Sequence, residues 1–318
     1  MSAEPQKIVV GTRGSDLALA QAEITEAALR VAHPGLEIER RIIKTTGDRR
    51  TDVPLAEVAR SEGHIDKGVF IKELEVALAE GEIDLAVHSL KDMPSELEEG
   101  FAIGAVLPRA PVGDVLVTMN DGGLEGLPEG ATVATSSVRR QRLLQWLRPD
   151  LRVADIRGNV PTRLRKLHES DELAGLLLAQ AGLVRLGLLE NGVVRSGTAT
   201  LPAQILSSER FFPAAGQGAV ALEIREGDQV LHDLVSAVTH RETADAVTAE
   251  RKFLELLGAG CDTPVGVLSR IEGGDLHLRA MVFEEGEAEP LQGDATARRN
   301  EPLVLAQALV DSLSRRKS

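Results

Sequence analysis

The chain has 318 residues, of which 43% are hydrophobic, enough for the cores of two domains of about 150 residues each. A net charge of −13 argues against nucleic acid or an anionic membrane as the main partner, and 2% aromatic residues argue against base stacking. The longest apolar run falls short of roughly 18 residues and no secretory leader is recognised, so the sequence predicts a cytoplasmic protein without a membrane span.

In chain order, a predicted strand over residues 7–10 leads through Arg13 and Ser15 into a predicted helix over residues 17–31. The start of a helix offers unpaired N–H groups and the positive end of its dipole to an anion, and Arg13 lies beside it. Ser15 would equally serve as a helix cap alone. The turn is therefore either an anion site or a cap.

A second strand is predicted over residues 37–45, and the polar residues 47–66 predict a long surface loop of the kind that forms lids. A helix over residues 71–79 and a strand over residues 83–87 follow. The order of strands and helices predicts an α/β domain.

The strand over residues 83–87 runs directly into His88, Lys91 and Asp92. At the carboxyl end of a strand in an open α/β sheet, side chains face the ligand crevice. Lys91 and Asp92 would then supply a cation and a carboxylate to one small region. The alternative is a solvated turn in which Asp92 caps the next element and His88 is a half-buried imidazole.

Residues 106–117 contain two prolines and a glycine and predict a crossover between domains. A strand over residues 132–135 then leads into a helix over residues 136–147. Arginine in the first turn of a helix opposes the helix dipole, so Arg139 and Arg140 are better explained by an anion held at that end.

The strand–turn–helix pattern returns after residues 152–156, and the next strand, over residues 175–181, is followed by another arginine. Between Val133 and His168 there are nine Lys or Arg residues and only two acids. Solvated surfaces usually mix both signs, so the excess favours a face that binds an anionic ligand.

The only cysteine, Cys261, follows a predicted helical region over residues 229–257 that ends at Gly258. A lone thiol cannot form an internal disulfide and fits a reducing compartment. A free cysteine is most often a small buried hydrophobe, but a glycine-rich turn beyond a helix leaves a thiolate open to reaction. Its neighbours leave open whether it attacks a substrate, binds a metal or carries a group.

Six short motifs, in this order along nearly the whole chain, resemble the porphobilinogen deaminase (hydroxymethylbilane synthase) family. They are Gly11–Ser15, Val87–Pro94, Thr135–Arg140, Arg157–Val160, Gly216–Gly218 and Gly260–Cys261. The resemblance implies an α/β fold in which two domains like type II periplasmic binding proteins are joined by a hinge and followed by a small α+β domain. The expected boundaries are 5–108 with 218–237 for domain 1, 113–212 for domain 2 and 241–318 for domain 3.

The resemblance also implies a transferase of tetrapyrrole (porphyrin and haem) biosynthesis. Such an enzyme joins four porphobilinogen molecules head to tail into hydroxymethylbilane and releases ammonia at each step. The product is expected to grow on a dipyrromethane cofactor held by a thioether to Cys261. Asp92 is expected to contact pyrrole N–H groups, assist loss of the amino group and stabilise the azafulvenium-like cation. No metal is implied.

Two further sets of residues follow from the resemblance, because each pyrrole carries two carboxylates. Besides Asp92, the cofactor-binding set is Lys91, Ser137, Arg139 and Arg140. The substrate-binding set is Arg13, Ser15, Arg157, Arg163, Arg185, Lys67 and Phe70. The segment with Lys67 and Phe70 is longer and more acidic than the compact Gly-Gly-Lys-Gly-Leu-Phe run that the family usually has there.

The expected partners are porphobilinogen as the small-molecule substrate and uroporphyrinogen III synthase as the acceptor of the product, with the chain acting as a monomer. A rival hypothesis is a non-catalytic, hinge-closing binding protein for a multi-carboxylate molecule. It explains the arginines but gives Cys261 and Asp92 no role. A binder of phosphate esters or nucleic acid is disfavoured by the acidic charge.

Overall fold

The computed structural model describes three stretches of the chain, which carry the helices and strands named below. The described residues are 6–49, 70–259 and 263–317. In chain order the elements are β1 (Lys7–Thr12), α1 (Asp16–Ala32), β2 (Glu37–Ile42), α2 (Thr46–Arg49), α3 (Lys72–Ala79), β3 (Leu85–Ser89), β4 (Phe101–Val106), β5 (Asp114–Thr118), β6 (Thr132–Ala134), α4 (Val138–Leu147), β7 (Arg152–Ala154), α5 (Val160–Glu169), β8 (Leu173–Ala179), α6 (Gln180–Arg185), β9 (Leu189–Glu190), β10 (Val193–Ser196), β11 (Ala199–Ile205), β12 (Val220–Arg225), α7 (Gln229–Ser236), α8 (Arg241–Leu257), β13 (Val265–Glu272), β14 (Asp275–Val282), β15 (Leu291–Arg298) and α9 (Pro302–Lys317).

The chain divides into two compact units, each made of two separate stretches. Met1–Arg109 and Ala219–Val247 form unit 1, and Ala110–Gly218 and Thr248–Ser318 form unit 2. The chain therefore leaves unit 1 after β4 and returns to it with β12.

Unit 1 contains a five-stranded sheet in the order β2-β1-β3-β12-β4. Strand β1 runs parallel to both β2 and β3, whereas β12 is antiparallel to β3 and β4. Buried side chains of β1, β3 and β12 form a core with helices α1 and α7 that includes Leu29, Val87 and Leu222. Near-continuous apolar strands of this kind are typical of sheets buried on both faces.

Unit 2 repeats this arrangement of strands in a second sheet. Its order is β7-β6-β8-β5-β11-β10-β9, with β6 parallel to β7 and β8 and with β5 antiparallel to β8 and β11. The first four strands therefore follow the pattern of unit 1: second, first, third, and then the antiparallel strand with which the chain enters unit 2 (β5) or returns to unit 1 (β12). In each sheet a further strand, β11 or β4, pairs antiparallel with that strand. The structure thus confirms an α/β fold with two similar units.

Unit 2 also contains a smaller antiparallel sheet, β13-β14-β15, against which α9 packs. Leu305 and Leu309 of α9 are buried, and Leu313 lies beside Gly293 of β15. This is the small α+β region expected at the end of the chain. Strand β15 has alternating small and polar residues, which give a weak strand signal.

Several strands of the α/β units were also missed in the sequence. The predicted crossover over residues 106–117 contains the boundary between the two units, at Arg109 and Ala110. The buried strand Asp114–Thr118 at its end was not predicted. The two prolines and the glycine of residues 106–117 precede this strand, and because of them its apolar run was not recognised as a strand in the sequence. Strands β9 and β10 are only two and four residues long, too short to show a period.

Candidate active site

The predicted site residues collect at one edge of each sheet, where the parallel strands end. In unit 1, Arg13 and Ser15 follow β1, and Lys91 and Asp92 follow β3 in a 3-10 turn (Leu90–Asp92). Ligands bind beyond the carboxyl ends of the strands in open α/β sheets. The repeat of the strand order therefore explains why unit 2 carries its own set of predicted residues at the same edge.

In unit 2, helix α4 follows β6, helix α5 follows β7 and helix α6 follows β8. The predicted residues lie in these turns or on these helices. They are Ser137, Arg139, Arg140, Arg157, Arg163 and Arg185.

A pocket that is partly open to solvent lies at the strand edge of unit 1. Its polar lining consists of Arg13, Ser15, Gln21, His88, Ser89 and Asp92. The pocket thus brings together four of the predicted residues, Arg13, Ser15, Phe70 and Asp92, and Lys91 is next to Asp92 in the sequence.

Arg13 lies against an aromatic ring at the pocket wall. Its guanidinium carbon is 3.9 Å from the centroid of the Phe70 ring, a cation–π contact. Phe70, predicted as a substrate-binding residue, also lines the pocket. Lys67, the other residue predicted from this segment, lies outside the described residues.

Ser15 caps helix α1, since its Oγ accepts a hydrogen bond from the backbone N–H of Ala18 at 3.3 Å. Gln21 and Ser89 also line the pocket, and the Gln21 amide donates to Ser89 Oγ at 2.8 Å. Gln21 was not predicted from the sequence. A buried polar residue on the inner face of a helix was its only signal.

In unit 2, Arg139 and Arg140 converge on a single buried carboxylate, Asp114. Arg139 donates to one of its oxygens at 2.8 Å, and Arg140 donates to the other from two nitrogens, at 3.0 and 2.7 Å. Gln217 also donates to Asp114, at 3.0 Å. The anion predicted near these arginines thus includes a carboxylate of the chain itself.

Two guanidinium groups on one carboxylate leave this cluster with a net positive charge. Burial acts to raise the pKa of Asp114, but Arg139 and Arg140 outweigh it and hold that pKa well below its usual range. Burial lowers the pKa of Arg139, which remains a cation near neutral pH. The Nε atom of Arg139 has no hydrogen-bond partner within the described stretches.

The other three arginines of the predicted set in unit 2 are only partly buried. Arg185 donates to the Gly218 carbonyl at 2.7 Å, and burial lowers its pKa to about 10. Arg163 donates to the Gly158 carbonyl at 2.7 Å. Burial lowers the pKa of Arg157, and its buried Nη1 finds no partner in the described part of the chain.

Ser137 precedes helix α4, which carries Arg139 and Arg140. Asn159 precedes helix α5, which carries Arg163. Ser137 Oγ accepts from the backbone N–H of Arg140 at 3.5 Å, and the Asn159 side chain accepts from that of Thr162 at 2.9 Å. Ser137 was predicted as a cofactor-binding residue, and its position as a cap places it at the helix end that favours anions.

Cys261 lies outside the described residues, which stop at Ala259 and resume at Thr263. Helix α8 ends at Leu257, and Gly258 has φ = 65°, the left-handed conformation typical of a residue that terminates a helix. Across the described residues, no group of three His, Cys, Asp or Glu side chains is arranged to hold a metal ion. A search of the same residues finds no helix suited to cross a membrane.

The fold is that of an α/β protein in which arginines and helix N-termini gather where the parallel strands of each sheet end. Residues 8–233 match the domain described as "Porphobilinogen deaminase, dipyromethane cofactor binding domain", and residues 244–314 match "Porphobilinogen deaminase, C-terminal domain". The chain belongs to the porphobilinogen deaminase family.

Individual relatives agree with this assignment. The porphobilinogen deaminase of Syntrophomonas wolfei is 42% identical over 96% of this chain and 94% of its own length. That of Moorella thermoacetica is 44% identical over 96% and 93%. Among solved structures, the methionine-binding protein MetQ is similar with a TM-score of 0.44 at 14% identity, over 78% of this chain and 97% of its own.

The family predicted from the six motifs is therefore confirmed, and with it the enzyme class and the dipyrromethane cofactor. The chain is a transferase of tetrapyrrole biosynthesis that polymerises porphobilinogen. The rival hypothesis of a non-catalytic binding protein does not hold.

Proposed function

We propose a division of roles among the described residues for the condensation of four porphobilinogen molecules into hydroxymethylbilane. Asp92 lies at the reacting atoms, and the arginines hold the acidic arms of the pyrroles. The observation that carries this proposal is the pocket of unit 1, where Asp92 and Arg13 line the same space. A carboxylate and a guanidinium in one pocket match a ligand with pyrrole N–H donors and carboxylate arms.

Asp92 is the exposed end of the turn after β3 and is open to a ligand. Its carboxylate accepts hydrogen bonds from pyrrole N–H groups. When the aminomethyl group loses ammonia, positive charge spreads over the substrate ring, and a carboxylate beside that ring stabilises it. Lys91, the neighbouring cation, pairs with a carboxylate of the cofactor.

The residues of unit 2 fit a dipyrromethane with acidic arms. Arg139 Nε and Arg157 Nη1 are buried donors that lack partners within the described stretches, and the Arg139–Arg140–Asp114 cluster carries a net positive charge. Buried donors of this kind are costly unless an acceptor is supplied. Carboxylates of the cofactor are such acceptors. When bound, the cofactor supplies the pyrrole carbon to which the first substrate unit is joined.

The remaining assignments follow the same chemistry. Cys261 carries the cofactor through a thioether, and the reactivity of a thiolate supports this role. Arg13, Ser15, Arg157, Arg163, Arg185, Lys67 and Phe70 bind substrate, and Ser137, Arg139 and Arg140 bind the cofactor. Arginine suits these roles because its planar guanidinium pairs with a carboxylate through two hydrogen bonds.

The wider setting is also part of the proposal. The enzyme acts as a cytoplasmic monomer and passes its product to uroporphyrinogen III synthase. Its three domains are 5–108 with 218–237, 113–212 and 241–318. A single cysteine among 318 residues and a net charge of −13 support a reducing compartment and a small-molecule partner.

Replacing Asp92 by Asn tests the central role. The amide keeps the size of the side chain but removes its charge, so ammonia release from porphobilinogen should fall by about 10²-fold or more while the unfolding temperature stays unchanged. The matched control is Glu96→Gln, which removes an exposed acid four residues further on. Full turnover by Asp92→Asn would refute the role given to this carboxylate.

A further inference from the structure

His88 is a second titratable group in the pocket of Asp92, and it is held by a buried carboxylate. Its Nε2 lies 2.9 Å from Oε2 of Glu223. His88 is only 5% exposed and Glu223 is fully buried. His88 nevertheless lines the pocket together with Arg13 and Asp92.

The register of the sheet places the two side chains on one face. In the antiparallel pair β3–β12, His88 lies opposite Ala221, and Ala86 lies opposite Glu223. Residues opposite each other share a face, as do residues two apart on one strand, so His88 and Glu223 are diagonal neighbours. The pair is therefore built into the central strands of unit 1.

Stability alone does not account for Glu223. Its Oε2 is bonded to His88, but its Oε1 is buried and finds no partner within the described stretches. A buried carboxylate with half of its hydrogen-bonding capacity unused is unfavourable compared with an apolar side chain of similar volume. An unsatisfied buried group in a folded protein calls for an explanation, and a catalytic role is one such explanation.

The hydrogen bond to Glu223 also determines which nitrogen of His88 can accept a proton in the pocket. An ionised carboxylate only accepts hydrogen bonds, so Nε2 carries the proton that is donated to Glu223. In a neutral imidazole the lone pair then lies on Nδ1. His88 is thereby prepared as a proton acceptor, in the way that a buried carboxylate fixes the tautomer of a catalytic histidine.

We propose that His88 accepts the proton released when each carbon–carbon bond forms, and that Glu223 is its positioning residue. This proposal rests on the function proposed above, in which Asp92 stays ionised to stabilise the cation. A carboxylate kept ionised for that purpose is poorly suited to take the proton as well. His88 gives the pocket a separate proton carrier.

The bonds and protons balance without any further reactant. The aminomethyl group reacts in its protonated form, so that when its carbon–nitrogen bond breaks the electron pair leaves with ammonia. The methylene carbon bonds to the α-carbon of the terminal pyrrole. The C–H bond of that α-carbon then breaks, its electron pair returns to the ring, and the proton goes to Nδ1 of His88. His88 passes the proton to ammonia, which leaves as ammonium.

The test compares His88→Asn and Glu223→Gln with the wild-type holoenzyme, using porphobilinogen as substrate. We expect kcat to fall by about 10²-fold in His88→Asn, in line with the usual effect of losing a general base, with KM changed by less than about threefold. Glu223→Gln keeps the volume of the side chain and should also lower kcat. Matched controls are His232→Asn and Glu226→Gln, both exposed on unit 1.

Chemical rescue separates proton transfer from structural support. In His88→Ala, added imidazole should restore part of kcat, because the free base can occupy the space that the side chain leaves. Normal kcat in His88→Asn would overturn the proposal, as would a loss in His88→Ala that imidazole does not restore. If either of these outcomes were observed while Asp92→Asn was inactive, the role proposed for His88 would be refuted and the role proposed for Asp92 would stand. A wild-type enzyme that released no ammonia would instead refute the proposed function.

Discussion

Asp114 is the residue on which the charged interior of unit 2 depends. It is fully buried, accepts hydrogen bonds from Arg139, Arg140 and Gln217, and begins strand β5. Removing one partner of a buried ion pair leaves the other charge uncompensated, which costs much more than the pair contributes as a whole. Asp114 is therefore expected to be more sensitive to substitution than any exposed acid of the chain.

Asp114→Asn should lower the free energy of unfolding by about 3–5 kcal/mol, because two buried guanidinium groups would lose their counter-charge. Denaturant unfolding of the purified variant measures this. The matched control is Glu169→Gln, which breaks the exposed Arg165–Glu169 pair and should change stability by less than about 0.5 kcal/mol. A loss below about 1 kcal/mol for Asp114→Asn would contradict this account of the cluster.

The same carboxylate predicts an effect of pH on stability. Its pKa in the folded protein is lower than in the unfolded chain, so its contribution is complete above about pH 4 and is lost as the pH falls below that value. The difference in stability between wild type and Asp114→Asn should therefore shrink in acid. A difference that stays constant from pH 6 to pH 3 would show that Asp114 is not the titrating group.

Helix N-termini contribute to the candidate site in both units. Ser15, Ser137 and Asn159 each follow a parallel strand and cap the next helix through a side-chain oxygen. The sequence analysis offered capping and anion binding as alternatives at Ser15. The structure shows the cap, and a capped helix start is also where an anion is favoured. The two interpretations are therefore compatible.

Two substitutions of Ser137 separate its roles. Ser137→Ala removes the cap and should cost about 1 kcal/mol of stability. Ser137→Asp keeps a good cap but places a negative charge beside Arg140, where the acidic arms are proposed to bind. We expect near-normal stability but at least a roughly tenfold loss in kcat/KM for porphobilinogen, since like charges in a partly buried site repel by more than about 1.4 kcal/mol.

The control for that experiment is Asp228→Ser at the cap of helix α7, which exchanges one capping residue for another away from the predicted site residues. It should leave kcat/KM unchanged. Wild-type kinetics in Ser137→Asp would show that no acidic group of substrate or cofactor approaches this helix start.

The elements differ in how well the sequence predicts them. Helix α1 and strand β1 were predicted to within about two residues, because their apolar periods are regular and glycine or proline marks their ends. Asp114 and Glu223 were missed, since an acid inside an apolar strand gives no local sign of a distant partner. Pairing over such distances is a property of the sheet register.

At the scale of the molecule, the two α/β units share one strand order, although no repeat is visible in the sequence. The order places the end of the first strand of each sheet before a capped helix, and it explains why the predicted residues of each unit gather at one edge. The motifs could be recognised from the sequence because they are local. The place of β12 in the sheet of unit 1 could not, since this strand comes from a distant part of the chain and only tertiary pairing defines its position.

The assignment of Cys261 is the central claim about the whole enzyme, and intact-mass spectrometry tests it most directly. Active protein should exceed the mass of its polypeptide by two linked, substrate-derived pyrroles. Peptide mapping should place them on Cys261, and Cys261→Ser should lack both this mass and the activity. Fully active enzyme with the bare polypeptide mass would contradict the account.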